Sequence, residues 1–125
     1  MTRYHITSEF EWKILKSLWE RNKGTVKQVW QDVFPNGERA YTTVQTYMER
    51  LVEKGILEKE KIGLVNFYTP IISEKGALDS ATQGLVSRAF NGSFGMLATY
   101  LIGSQEIEEK DLEKIRKLLD EREKK

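Results

Sequence analysis

Cysteine is absent from this 125-residue chain. That excludes a disulfide framework, thiolate metal sites and cysteine nucleophiles, and it fits a reducing compartment. Histidine occurs once, at His5, and there is no His-Glu-x-x-His pair, no Gly-x-Ser-x-Gly elbow and no phosphate-cradling Gly-x-x-x-x-Gly-Lys loop. An enzyme is therefore not expected. Long apolar runs are missing too: no stretch nears the roughly 20 apolar residues that span a bilayer, and the opening MTRYHITSEFEW lacks the apolar centre of a signal peptide. A cytoplasmic protein without a membrane partner is the expectation.

Neither sign of charge dominates, since 20 Lys+Arg stand against 19 Asp+Glu for a net charge of +1. Residues 1–70 carry 11 basic and 9 acidic groups, and residues 71–125 carry 9 and 10. Any nucleic-acid surface must be local. The acids Glu58 and Glu60, and Glu106, Glu108 and Glu109, sit near a strand or a helix start. There they read as solvated or dipole-favourable groups rather than metal ligands, so no metal or cofactor is expected. With 39% hydrophobic and 31% charged residues, the chain has the composition of one ordinary folded domain or two very small ones. A chain of this length hides roughly two-thirds of its unfolded surface without needing a staple.

Helical periodicity opens at Ser8-Glu9-Phe10-Glu11, a capping box in which the Ser8 hydroxyl and the Glu11 carboxylate each take the other's backbone N–H. Phe10, Ile14, Leu15, Leu18 and Trp19 then form an apolar stripe that ends near Asn22-Lys23-Gly24. A second box, Thr25 to Gln28, starts a short helix with Val26, Val29, Trp30 and Val33 inward, stopping before Pro35-Asn36-Gly37. A third, Thr42 to Gln45, starts a helix lined by Val44, Tyr47 or Met48, Leu51 and Val52 and ending at Lys54-Gly55. Trp12, Trp19 and Trp30 all fall in helical segments and read as packing residues.

After Gly55 the period changes: Ile56 to Ile62 and Val65 to Pro70 flank Gly63-Leu64 as a small β-hairpin. Helical spacing returns in Ala77, Leu78, Ala81, Leu85, Val86, Ala89 and Phe90, and after Asn91-Gly92-Ser93 in Phe94, Leu97, Ala98 and Leu101. A final amphipathic helix carries Leu112, Ile115, Leu118 and Leu119 on one side. The fold class is mainly α with a small β-hairpin. Three helices and a hairpin make an N-terminal winged helix-turn-helix over residues 1–71, followed by a C-terminal helical region over residues 72–125.

Five stretches carry a more specific signal: Ser8-Glu9-Phe10-Glu11-Trp12 with Leu18-Trp19, Ala40-Tyr41-Thr42-Thr43-Val44-Gln45-Thr46, Arg50-Leu51-Val52-Glu53-Lys54-Gly55, Tyr68-Thr69-Pro70, and Phe90-Asn91-Gly92-Ser93. In their order and spacing the chain resembles the BlaI/MecI/CopY group of bacterial penicillinase repressors. The resemblance implies a homodimeric, sequence-specific repressor of transcription on a palindromic double-stranded DNA operator, with residues 72–125 as its C-terminal helical dimerisation region. Members of the family lose repression in different ways. The copper-responsive branch uses a C-terminal cysteine cluster, which this chain lacks, and the β-lactam branch is cleaved at an Asn-Phe bond, where this chain has Tyr100-Leu101.

The residues of the third helix agree with the same reading, and a solvated face with Thr42 and Gln45 merely capping is the alternative. With Val44, Met48 and Leu51 inward, Thr43, Thr46 and Arg50 share an outward face with Thr42, Gln45 and Glu49 beside it. Thr42, Thr43, Gln45 and Thr46 are the candidate base readers, because Gln bonds adenine bidentately and Thr offers a hydroxyl or a methyl to a base edge. Arg3, Lys27, Arg39, Tyr41, Arg50 and Lys61 are the weaker candidates for phosphate. Arg50 has an alternative as the ion-pair partner of Glu49 or Glu53. The wing carries Leu64 after its glycine and Asn66 beyond it, where the family often has a basic residue and an aromatic, so its contribution stays open.

Residues 74–122 hold more apolar groups than about 50 residues can bury alone. Leu85, Phe90, Phe94, Leu97, Leu101, Leu112, Ile115 and Leu119 are the candidate dimer contacts, with Leu97 and Leu101 expected on one buried face. Packing against the N-terminal domain is the alternative. Two other functions stay open: a winged-helix protein-interaction module without DNA binding, and a repressor that senses an unknown effector in a pocket near Phe90, Phe94 and Leu97.

Overall fold

A computed structural model describes residues 6–124. Its elements run α1 (Glu9–Arg21), α2 (Val26–Val33), α3 (Tyr41–Glu53), β1 (Leu57–Ile62), β2 (Val65–Pro70), α4 (Glu74–Ala89), α5 (Phe94–Ile102) and α6 (Glu109–Glu123). The chain is thus mainly helical with one antiparallel hairpin, in which Leu57 pairs with Pro70 and Ile62 with Val65.

The helix starts obey the capping logic unevenly. At α2 the Thr25–Gln28 box forms in full: Thr25 Oγ1 accepts from Gln28 N at 3.1 Å and Gln28 Oε1 accepts from Thr25 N at 3.0 Å. At α1 only half forms, because Ser8 Oγ accepts from Glu11 N while the Glu11 carboxylate turns elsewhere. It accepts from Thr7 N at 2.8 Å and from Lys54 Nζ at 2.8 and 3.1 Å. The expected box at Thr42 is absent: α3 begins two residues earlier, Ala40 is its N-cap, and no side chain caps it. Thr42 instead lies inside the first turn, where its carbonyl accepts from Thr46 Oγ1 at 2.9 Å.

The other end of α3 closes with paired bonds, Ile56 N to Leu51 O and Gly55 N to Val52 O, both 3.0 Å. This is a Schellman ending, and it requires a left-handed residue, supplied by Gly55 at φ 78°. It also drops Ile56 into the core, so β1 starts at Leu57.

Two compact units divide the chain at Ala81/Thr82. In the first, Ile14, Leu15 and Leu18 of α1, Val29 of α2, and Val44, Met48 and Leu51 of α3 are fully buried with Ile56, and Leu57 and Tyr68 of the hairpin are almost so. Ile72 and Ala77 join the same core, which carries the unit past the hairpin to Ala81. Removing one such side chain, Leu51→Ala for example, costs about 2–5 kcal/mol. Aromatic rings flank the core: Phe10 stacks on Tyr47 at 4.4 Å, and Trp12 lies 6.0 Å from Trp19, whose indole N–H donates to Ile72 O at 2.9 Å. The three tryptophans pack, as their helical positions suggest.

The second unit holds the C-terminal half of α4 with α5 and α6. Val86 is buried, whereas Leu85, Phe94 and Leu119 are exposed and Phe90, Leu97, Leu112 and Ile115 are half-buried. Leu101, expected to be buried beside Leu97, is 48% exposed. A nine-residue α5 reading FGMLATYLI is apolar on nearly every face, so one neighbouring surface cannot cover it. Among the described residues no helix is long and apolar enough to cross a membrane.

Candidate nucleic-acid interface

Burial of Val44, Met48 and Leu51 fixes the rotation of α3 and turns Thr42, Gln45, Thr46 and Arg50 outward, with Thr43 half-buried at the edge. The candidate base readers therefore share one solvent-facing strip. Their donors are not equally available, since the Thr46 hydroxyl already donates to the Thr42 carbonyl. No side chain caps the α3 N-terminus and no acid lies in its first turn, so its dipole is favourable for an anion.

Several elements hold α3 in place. Trp30 Nε1 donates to Arg39 O at 2.7 Å, and its ring meets Tyr41 edge-on at 6.0 Å, which fixes the segment entering α3. The far end is tied to α1 by Lys54 and Glu11. Burial pushes the Glu11 carboxyl up, but the Lys54 ammonium and the Thr7 backbone N–H outweigh it and hold the carboxyl below the usual range. Helix α2 is tied to α1 through Asp32, which accepts from Arg21 at 2.6 and 2.8 Å and from Ser17 at 2.7 Å. The Arg21 guanidinium, helped by Ser17, holds the Asp32 carboxyl down against burial.

The hairpin is anchored to the same helix. Strand alternation and the register put Lys59, Lys61, Asn66 and Tyr68 on the face of the hairpin that also carries buried Leu57. Tyr68 Oη donates to Glu49 Oε1 at 2.6 Å, and Lys59 Nζ donates to both Glu49 oxygens at 3.1 Å. The Tyr68 backbone also pairs with Gly24, at 2.8 and 3.0 Å, just before α2. These bonds hold the Glu49 carboxyl below its ordinary range, the Tyr68 hydroxyl first and Lys59 after it, while burial and Glu49 push the Tyr68 hydroxyl up. Glu49, an acid on the α3 surface, is thus neutralised in place. The signal for this cluster was the alternation that sets Lys59 and Tyr68 on the inner face; the sequence alone did not say which acid they meet.

A single cleft collects residues from three elements: Thr25 and Lys27 at the start of α2, Tyr41 and Gln45 on α3, and Leu64 and Asn66 on the hairpin. Lys27, Tyr41 and Gln45 are therefore brought together. Arg50 is not among them: it lies on the other flank of α3 with its guanidinium 5.1 Å from the Tyr47 ring. With Glu49 engaged by Lys59 and Tyr68, the Arg50–Glu49 ion pair weighed above gives way to this aromatic contact. Arg39 and Lys61 are exposed, on the segment before α3 and on β1. Arg3, and with it His5, lies outside the described residues. Among the described residues no group of three or more histidines and acids is placed to hold a metal ion.

The family model described as penicillinase repressor matches residues 7–121. The penicillinase repressor of Bacillus licheniformis is 23% identical over 114 residues, covering 91% of this chain and 89% of that protein. The methicillin resistance regulatory protein MecI of Staphylococcus aureus (strain N315) is 18% identical over 119 residues, covering 95% and 96%. Among solved structures, the DNA-binding domain of the repressor BlaI matches with a TM-score of 0.53 and 29% identity, over 61% of this chain and 93% of that one. The Bacillus licheniformis BlaI monomeric form in complex with the blaP half-operator matches with a TM-score of 0.52, at the same identity and coverage.

Proposed function

Because the chain belongs to the penicillinase repressor family, we propose that it is a cytoplasmic transcriptional repressor that binds a palindromic DNA operator as a homodimer. The observation that carries this reading is the exposed strip of Thr42, Gln45 and Thr46 on a helix whose rotation and both ends are fixed, opening into a cleft with Lys27 and the hairpin. A rigidly held polar helix face suits the major groove, where Gln45 has adenine as its natural partner and Thr42, Thr43 and Thr46 contact base edges. Lys27, Arg39, Tyr41, Arg50 and Lys61 take phosphates, and Arg3 is assigned with them. The likeness to a domain solved with a half-operator supports the same placement.

Residues 1–71 carry the DNA contacts in this reading and residues 72–125 the self-association. The exposed apolar side chains of α4, α5 and α6, including Leu85, Phe94, Leu101 and Leu119, are the surface that a second copy covers, with Phe90, Leu97, Leu112 and Ile115 beside them. Two-fold pairing places two copies of α3 one helical turn of DNA apart, or a multiple of it. The family is one of repressors, and no catalytic step is assigned. Relief of repression requires an effector or a partner that favours the DNA-free state by its differential affinity.

A mobility-shift titration of the full chain against the DNA upstream of its own gene tests this reading. A shift that survives excess scrambled duplex and is lost in Gln45→Ala is expected. Absence of a shift with either duplex would favour a winged-helix module that binds protein instead.

A further inference from the structure

Leu64 is 95% exposed, the most exposed of the large apolar side chains among the described residues, and it stands at the tip of the hairpin. The turn that presents it is tight: Ile62 pairs with Val65, Gly63 has φ 65°, and Leu64 keeps a negative φ. This is the pattern of a two-residue type II′ turn, whose first central position calls for glycine. The strands behind the turn are held to α3 by Tyr68, Lys59 and Glu49, and to the start of α2 by the Gly24–Tyr68 pairing. The leucine is therefore held out on a braced support rather than on a loose loop.

Its position decides what it meets. Leu64 lines the same cleft as Gln45 and Lys27, and no acid lines that cleft, whose charged group is Lys27. An anionic occupant continuous with the α3 strip fits this surface. A helix seated in the major groove leaves the adjoining hairpin over the backbone and the neighbouring minor groove. We propose that Leu64 is a specificity-determining contact, an apolar finger that the hairpin turn sets against the minor-groove wall of the DNA flanking the segment read by α3. Apolar side chains at this depth favour A·T steps, because G·C pairs place an amino group on the groove floor. The inference rests on the DNA-binding reading given above.

The test uses the full chain and a duplex enriched by it from a random-sequence pool. Leu64→Ala removes exposed atoms only, so its melting temperature should match the wild type. Its affinity should fall about tenfold with an unchanged salt slope, because the lost contact is apolar and releases no counterion. Leu64→Lys should raise the slope by about one per wing. Replacing adenine by 2,6-diaminopurine in the flanks adds the amino group to the groove floor, and should weaken the wild type but leave Leu64→Ala unaffected. Affinity equal to the wild type in Leu64→Ala, a loss that comes with a smaller salt slope, or equal weakening of both proteins by diaminopurine would each overturn the proposal while leaving the repressor reading standing. Failure of the wild type to enrich any duplex would overturn both.

Discussion

Removing the ammonium of Lys54 should expose how much the end of α3 depends on one buried carboxylate. Glu11 is 3% exposed and accepts from Lys54 at 2.8 Å and from Thr7 N at 2.8 Å and Thr7 Oγ1 at 3.2 Å. Lys54→Met keeps the aliphatic stem and leaves the carboxylate with the Thr7 donors alone. Deleting one partner of a fully buried pair costs about 3–5 kcal/mol. Two donors remain and the lysine side chain is one-third exposed, which brings the expectation to about 2 kcal/mol. At about 2.1 cal/mol/K of unfolding entropy per residue, that lowers the melting temperature by about 8 °C. The effect has a sign in pH. The folded-state pKa of Glu11 lies below its unfolded value, so the pair stabilises the protein above about pH 4.3, and that contribution fades as pH falls through the folded value. Thermal melts followed by circular dichroism should therefore show a gap between wild type and Lys54→Met that holds above about pH 4.3 and narrows over the range below it. The double variant Glu11→Gln with Lys54→Met should recover much of the loss, because no buried charge is left unpaired. A gap that stays constant over that range, or a double variant no better than the single one, would refute the reasoning.

Gln45→Ala should cost about 1–3 kcal/mol at the specific site and relax base preference there. Thr46→Ala should cost less, since the Thr46 hydroxyl donates to Thr42 O in the free protein; fluorescence anisotropy on base-substituted duplexes checks both, and unchanged preference in Gln45→Ala would contradict the assignment. Lys27→Ala or Arg39→Ala should weaken specific and scrambled DNA alike and lower the salt slope by about one each, and a sequence-selective loss would remove either residue from the phosphate contacts. Ile115→Glu should give monomers whose winged-helix unit melts normally, with DNA affinity reduced by loss of the second half-site; sedimentation showing an intact dimer would refute it. The bond between Tyr100 and Leu101 should stay intact when an inducer relieves repression in the native host, and a fragment ending at Tyr100 on an immunoblot would overturn that expectation.

The order of helices and hairpin was legible because each element carries a local signal: the Thr25–Gln28 box, the left-handed Gly55 and the Gly63-Leu64 turn all act within a few residues. What local pattern could not supply was competition from distant partners. Glu11 fits a capping box by spacing, yet Lys54, 43 positions away, claims its carboxylate. The Thr-x-x-Gln spacing at Thr42 was also ambiguous, because Ala40 ends the extended segment early and the helix takes in Thr42. The outward strip of α3 followed from periodicity alone. The Glu49–Lys59–Tyr68 cluster and the placement of Leu64 beside Gln45 did not, since both depend on how the hairpin folds back on α3. Apolar residues of α5 were recognised as excessive for their length, and within one chain Leu101 stays half exposed.

Hydroxyl-radical footprinting of the full chain on the DNA upstream of its own gene tests the central claim most directly, with Gln45→Ala and Ile115→Glu run beside the wild type. Two protected patches related by dyad symmetry and set one helical turn apart, or a multiple of it, are expected for the wild type, with both lost in Gln45→Ala and weakened in Ile115→Glu. Uniform cleavage by the wild type at concentrations where it is folded, or a footprint that Gln45→Ala leaves intact, would contradict the claim that α3 reads an operator.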